Sequence, residues 1–256
     1  MGEAVLDLRS KNDTENATRV KTTIIIPAYN EEEGLPVVLK KIFNLIDDSY
    51  EVLVVDDGST DQTARVSKSF PYRLISHATN CGKGKAMMTG IREARGKNVV
   101  LIDADDTYPP ETILDITKAL DDYDYVVASR SSGHGNIPAF NRIGNAIFRN
   151  SIRYLYGFTA YDPLTGLYGL KKEHLEKMNL NSRGFGIEAE IAIKAGTMRL
   201  KIKDIPIVYG ERIGEAKLSG LKDGYRIACT IARHFPYILK RIRQKDPRST
   251  SVTQSY

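Results

Sequence analysis

From Thr22 to Ala128 the chain repeats one pattern: a short β-branched apolar run, a loop rich in acids or glycine, then a stretch with helical spacing. Thr22–Ile26, Glu51–Val55, Tyr72–Ser76, Asn98–Ile102 and Tyr125–Ala128 read as strands. Leu35–Ile46, Thr60–Ser69, Lys83–Arg95 and Glu111–Leu120 read as helices, because their apolar residues recur with helical periodicity. This alternation predicts βαβ units and an α/β fold, a mostly parallel sheet flanked by helices. Ligands of such sheets bind beyond the carboxyl ends of the strands, and every acid- or glycine-rich loop of this half falls at such an end. From Asn136 onward the pattern loosens into helical segments and short strands. Phe140–Leu155 and Ile227–Leu239 are amphipathic at helical spacing, and Pro236 is expected to kink or split the second.

The 256 residues are 41% hydrophobic and 27% charged, which is ample for a core and ordinary for a soluble globular protein. The longest apolar runs, such as Thr23–Pro27 and Val52–Val55, are too short to span a bilayer. Glu3, Asp7, Asp13 and Glu15 leave no apolar stretch for a signal peptide. Cys81 and Cys229 are too few and too far apart for a disulfide framework, which points to the cytoplasm. The expected organisation is a flexible arm (1–21), a catalytic domain (22–217), an amphipathic helical segment (218–245) and a disordered tail (246–256). Arg233, Lys240, Arg241, Arg243, Lys245 and Arg248 crowd the C-terminal end. Such a cluster suits an anionic membrane surface or nucleic acid, and is most often a solvated tail.

Four loops carry candidate chemistry. Val100-Leu101-Ile102 runs into Asp103-Ala104-Asp105-Asp106, and acids spaced i, i+2 at a strand end share one face. Such oxygens suit a hard divalent cation that bridges to substrate phosphates; an acidic solvated turn is the alternative. Pro27-Ala28-Tyr29-Asn30-Glu31 reads as a pocket wall or a strand-ending turn. In Val55-Asp56-Asp57-Gly58-Ser59-Thr60-Asp61, Ser59 with Gln62 fits a capping box. That leaves two acids able to accept hydrogen bonds from a base or ribose, or to favour a helix N-terminus. Asn80-Cys81-Gly82-Lys83-Gly84-Lys85 is a glycine-rich anion loop without Walker spacing. His77, His134, His174 and His234 belong to no nucleophile or metal motif and read as structural or solvent-facing.

In order and spacing, these four motifs resemble inverting glycosyltransferase family 2, with its GT-A (Rossmann-like) fold. Tyr108-Pro109-Pro110-Glu111, Ser129-Arg130, Asp162-Pro163-Leu164-Thr165-Gly166, Ile187-Glu188-Ala189-Glu190 and the run from Ile205 to Leu218 resemble the dolichyl-phosphate-mannose synthase branch. The Asp-Thr-Tyr-Pro and Tyr-Gly-Glu-Arg variants lie nearer its archaeal hexose-transferring members. The resemblance implies transfer of a hexose from a nucleotide-diphosphate sugar, UDP- or GDP-linked, to dolichyl or another polyprenyl phosphate, with Mg²⁺ or Mn²⁺. It implies that Pro27, Tyr29, Glu31, Val55 (through its backbone), Asp57 and Lys83 bind the nucleotide, and that Asp103 and Ala104 contact the sugar-nucleotide. Asp105 and Thr107 would hold the metal, Thr107 standing where the branch often has Gln. Arg212 and Lys217 would grip the diphosphate, at an Arg–Lys spacing one residue shorter than in some members. Arg130 and Arg142 would hold the acceptor phosphate, with Glu188 and Glu190 nearby in unassigned roles, and Asp105, Arg130 and Arg212 form the catalytic set. The implied partners are a membrane surface on its cytoplasmic face and a membrane subunit that could recruit the enzyme; no nucleic acid is expected.

An anionic acceptor needs cations rather than a general base. A second reading keeps the enzyme but gives it a soluble glycan or protein acceptor, with Asp162 or Glu188 as the base. A third is a non-enzymatic nucleotide-binding, membrane-docking module.

Overall fold

The computed structural model describes residues 20–66, 70–132, 139–182, 184–215 and 220–245. The expected N-terminal arm up to residue 19, the tail from 246 and Lys217 lie outside them. Seven strands form one sheet: β1 (Thr22–Ala28), β2 (Tyr50–Asp56), β3 (Arg73–Ser76), β4 (Asn98–Leu101), β5 (Tyr125–Ser132), β6 (Tyr168–Lys171) and β7 (Ile202–Val208). Their order is β3-β2-β1-β4-β6-β5-β7. The helices are α1 (Gly34–Phe43), α2 (Thr63–Val66), α3 (Lys83–Glu93), α4 (Thr112–Ala119), α5 (Ala139–Tyr156), α6 (Lys172–Lys177), α7 (Ile187–Met198) and α8 (Gly220–Lys245).

Burial on both faces explains the near-continuous apolar strands. Along β1, Ile24 and Ile26 face one cluster with Leu35, Val38, Leu39 and Ile42 of α1 and Ile113 and Ile116 of α4. Ile25 faces the other, with Met87 of α3, Ile152 of α5 and Ile187, Ile191 and Ile193 of α7. Each fully buried side chain of this size contributes about 1.5–3 kcal/mol.

The sheet is mostly parallel, as expected, and three details differ from or add to the reading of the sequence. First, β6 runs antiparallel to β4 and β5; four residues including Gly169 and Lys171 carry too little pattern to show in sequence. The reversal matters, because it delivers the loop before β6 to the edge where the other strands end. Second, the Ser59–Gln62 capping box does not form. Ser59 Oγ accepts the Asn30 N–H at 2.9 Å, and the Gln62 N–H goes to Glu32. The helix starts later, at Thr63, whose N–H donates to Asp61 Oδ1 at 2.9 Å. Third, Pro236 does not split α8, which continues through it to Lys245.

Glu190, left without a role by sequence, is fully buried on α7. It accepts the N–H groups of Asn181 (3.0 Å) and Ser182 (2.8 Å) and pairs with Lys194 at 2.7 Å. Burial alone would raise its pKa, but Lys194 and the two N–H groups outweigh that, and the pKa is lowered. A depressed carboxyl pKa stabilises the fold above the ordinary value of about 4.5 and is lost as pH falls through the folded value. Glu190→Gln should therefore cost about 2 kcal/mol at pH 7 and flatten the acid side of the stability profile. Urea unfolding at a series of pH values measures both.

Candidate active site

The carboxyl ends of β1, β2 and β4 lie side by side, so the loops after them share one edge. Gly34 opens α1 against the loop after β4; a Cβ there would sit 2.5 Å from the Ala104 carbonyl oxygen. The contact requires glycine and seats the loop that presents Asp103, Ala104 and Asp105.

The two acids of that loop have different partners. Asp105, nearly buried, accepts the Thr107 hydroxyl at 2.6 Å on Oδ1 and pairs through Oδ2 with Arg212. The other end of the Arg212 guanidinium meets Glu31 Oε1 at 2.5 Å. The segment carrying Arg212 follows β7 and is fastened to the same loop: Gly210 N–H donates to the Thr107 carbonyl at 2.9 Å and Ile213 N–H to the Asp105 carbonyl at 3.0 Å. Asp105 and Thr107 thus present a carboxylate and a hydroxyl side by side. That oxygen-only set fits a hard cation whose remaining ligands come from substrate phosphates and water.

Asp103 turns the other way, to Lys83. The Lys83 ammonium lies 2.7 Å from Asp103 Oδ1 and 2.7 Å from Glu188 Oε1, so the first residue of α3 joins the β4 loop to α7. Burial raises the pKa of both acids, Lys83 opposes it, and a neighbouring carboxylate adds to it: Asp105 at Asp103 and Asp103 at Glu188. Burial alone would lower Lys83, but the two acids more than reverse this and its pKa is raised. Beside them the buried Tyr168 hydroxyl has no hydrogen-bond partner among the described residues.

Arg130, at the end of β5, makes a bidentate pair with Asp162 at 2.5 and 2.9 Å and donates to the Leu164 carbonyl at 3.1 Å. Its guanidinium lies 5.4 Å from the centre of the Tyr209 ring. Arg142, expected beside it, is exposed on α5. Glu31, expected to bind the nucleotide, places its carboxylate on Arg212. Pro27 and Tyr29 are half-buried at the end of β1, and Val55 is buried in β2 between Pro27 and Ile75.

Asp57 lies just past β2, almost fully buried. Its Oδ1 meets His77 Nδ1 at 2.7 Å and the Cys81 N–H at 3.0 Å, and its Oδ2 takes the Gly82 N–H at 2.6 Å. The part of His77 was not visible in sequence. Its place at the end of β3, next to the end of β2, is the signal that would have found it.

A mostly parallel sheet with a metal-competent acid loop at the end of its fourth strand is the architecture of a GT-A glycosyltransferase. The chain belongs to glycosyl transferase family 2, whose model matches residues 23–178, more than half of its length. It is 33% identical over 215 residues to a dolichol-phosphate mannosyltransferase of Pyrococcus furiosus, with 78% of this chain and 60% of that longer protein covered. It is 32% identical over 212 residues to a dolichyl-phosphate hexose transferase of Haloferax volcanii, with 82% and 92% covered. Among solved structures it resembles glucosyl-3-phosphoglycerate synthase from Mycobacterium tuberculosis in complex with Mn²⁺, UDP-glucose and phosphoglyceric acid. The TM-score is 0.66 at 21% identity, over 87% of this chain and 82% of that one.

Gly166 offers a test of the Lys83–Asp103 geometry. A Cβ at this position would collide with Asp103 Oδ2, 2.6 Å from its Cγ and 2.9 Å from Tyr108 Cε2. Gly166→Ala should displace the Asp103 carboxylate and lower sugar transfer about 10²-fold. The far-ultraviolet circular dichroism should stay that of the parent.

Proposed function

We propose that the protein transfers a hexose from a nucleoside-diphosphate sugar to dolichyl or another polyprenyl phosphate, with inversion, at a membrane surface. One observation carries the choice of acceptor: the acids at this edge are already engaged. Asp103 and Glu188 hold Lys83, Asp105 holds Thr107 and Arg212, Asp162 holds Arg130, and Asp57 holds N–H groups. A hydroxyl acceptor would need one of these carboxylates as a base, and the two best placed, Asp162 and Glu188, are tied to cations. A phosphate monoester is an anion at pH 7, so no base is needed.

In this reading Pro27, Tyr29, Val55 and Asp57 border the nucleoside. Asp103, Ala104, Lys83 and Glu188 border the sugar, and Arg212, Glu31 and Lys217 border the diphosphate. Asp105 and Thr107 would hold Mg²⁺ or Mn²⁺, which when bound stabilises the leaving diphosphate; the Mn²⁺ and UDP-glucose of the mycobacterial neighbour support that use. The acceptor phosphate oxygen bonds to the anomeric carbon as the bond to the donor's β-phosphate oxygen breaks, and no proton is moved. Arg130 and Arg142 position the incoming phosphate, Arg as a planar fork suited to its oxygens.

In this reading the acceptor's lipid tail seats on α5. Ile143, Ile147 and Tyr154, spaced i, i+4 and i+11 along one side, are 65%, 58% and 82% exposed. Arg142, Arg149 and Arg153 flank that stripe, as in helices that lie in a membrane interface. Among the described residues no helix is long and apolar enough to cross a membrane.

Three outcomes are expected. With Mn²⁺ and a panel of radiolabelled UDP- and GDP-sugars, at least one donor should transfer label to dolichyl phosphate and none to soluble glycans; label on a soluble glycan alone overturns the acceptor. Asp105→Ala should lower transfer about 10²–10³-fold without loss of fold, and near-normal turnover of this variant would remove its metal role. The protein should sediment with anionic vesicles at low salt and be released by high salt. A protein that stays in the supernatant would require a membrane subunit to bring it to its acceptor.

A further inference from the structure

The hydrogen bonds of Asp57 bear on which base a bound nucleotide would carry, an inference that rests on reading this edge as a nucleotide-sugar site. A carboxylate offers about four acceptor positions, two on each oxygen. Here Oδ1 is taken twice, by His77 Nδ1–H and by the Cys81 N–H, and Oδ2 once, by the Gly82 N–H. His77 cannot easily turn away, since its Nε2 meets Thr89 Oγ1 at 3.0 Å and its own N–H donates to the Asp56 carbonyl at 2.8 Å. One position on Oδ2 is left among the described residues, beside Gly82 and the exposed Cys81.

The oxygen, nitrogen and sulfur of Asp57, His77 and Cys81 also come within 4.8 Å of one another, a spacing that suits a metal ion. Two backbone N–H groups point at the same carboxylate, however, and a cation would have to face their hydrogens. The arrangement is built to complement an N–H, not a metal.

We propose that this site selects uracil. Uracil shows a single ring N–H, flanked by two carbonyls, and so asks for one acceptor. Guanine presents N1–H and an amino group together, and a carboxylate answers that pair with both oxygens, whereas Oδ1 has none to give. Cytosine has a lone pair where uracil has the N–H, and it would face the carboxylate directly. His77 is the positioning residue: by filling Oδ1 it turns a two-oxygen acceptor into a one-oxygen acceptor.

The test is calorimetric binding of UDP, GDP and CDP to the full chain with Mn²⁺. UDP should bind at least tenfold more tightly than either other nucleotide, the scale of one hydrogen bond to a charged group. Less than tenfold preference over GDP or CDP overturns the inference and leaves the glycosyltransferase reading standing. If none of the three binds, the nucleotide-sugar reading of the edge falls with it. In His77→Ala the preference for UDP over GDP should shrink, because Oδ1 regains an acceptor position, while the preference over CDP should persist. An unchanged UDP-to-GDP ratio in that variant, checked for fold by circular dichroism, overturns the role of His77. A merely structural role would weaken all three nucleotides alike.

Discussion

Crowding carboxylates at one end of a sheet is the constraint around which this molecule is arranged. Asp57, Asp103, Asp105, Asp162, Glu31 and Glu188 all reach the same edge, and like charges that close would raise each other's pKa and oppose folding. Three cations answer them, each from a different stretch of chain. Lys83 begins α3, Arg130 ends β5, and Arg212 follows β7. The long-range pairs Arg212–Asp105 and Lys83–Glu188 therefore knit the second half of the chain onto the first, and Arg130–Asp162 closes the site within the second half. A carboxylate stripped of its cation here would be left buried and uncompensated, which costs far more than the loss of a surface pair.

The alternation of strands and helices up to Ala128 was readable because most strands there, the edge strand β3 excepted, are apolar runs rich in β-branched residues and buried on both faces. β1 to β4 accordingly fall close to the expected positions. The loops at their ends were readable for a related reason: Asp, Gly and Pro at the end of a buried strand have no packing role. What sequence could not show was pairing between distant segments. Nothing in the spacing of Lys83 and Glu188 announces that one ammonium serves Asp103 and Glu188 together. The antiparallel β6 is short and contains Gly169, whose missing side chain makes room for Ile116, so its packing signal is carried by its neighbours. α7 failed to show periodicity for the opposite reason, being buried nearly all round.

Some local rules were overridden by longer-range contacts. Ser59 has the chemistry of an N-cap, yet its hydroxyl serves Asn30, a residue held at φ +52° at the end of β1. Asn30 in turn accepts the Thr60 N–H at 2.8 Å. The two loops thus cap one another, and the helix start moves to Thr63. The exchange is sensible for a pocket wall, because it couples the ends of β1 and β2 rigidly where Tyr29 and Asp57 are presented.

Arg212 joins the stability of the site to its proposed chemistry. Its guanidinium spans Asp105 and Glu31, a geometry that a planar fork provides and an ammonium does not. On the proposed function, Asp105 would hold the divalent cation through the carboxylate that now meets Arg212, and the donor's diphosphate would bring new negative charge within reach of the guanidinium. On that proposal Arg212 would exchange part of its pairing with Asp105 for pairing with the diphosphate. Backbone bonds from Gly210 and Ile213 to the Asp105 loop keep it within reach during that exchange. Arg212 neutralises Asp105 and Glu31 in this structure, and on the proposed function it would neutralise the diphosphate when substrate is bound.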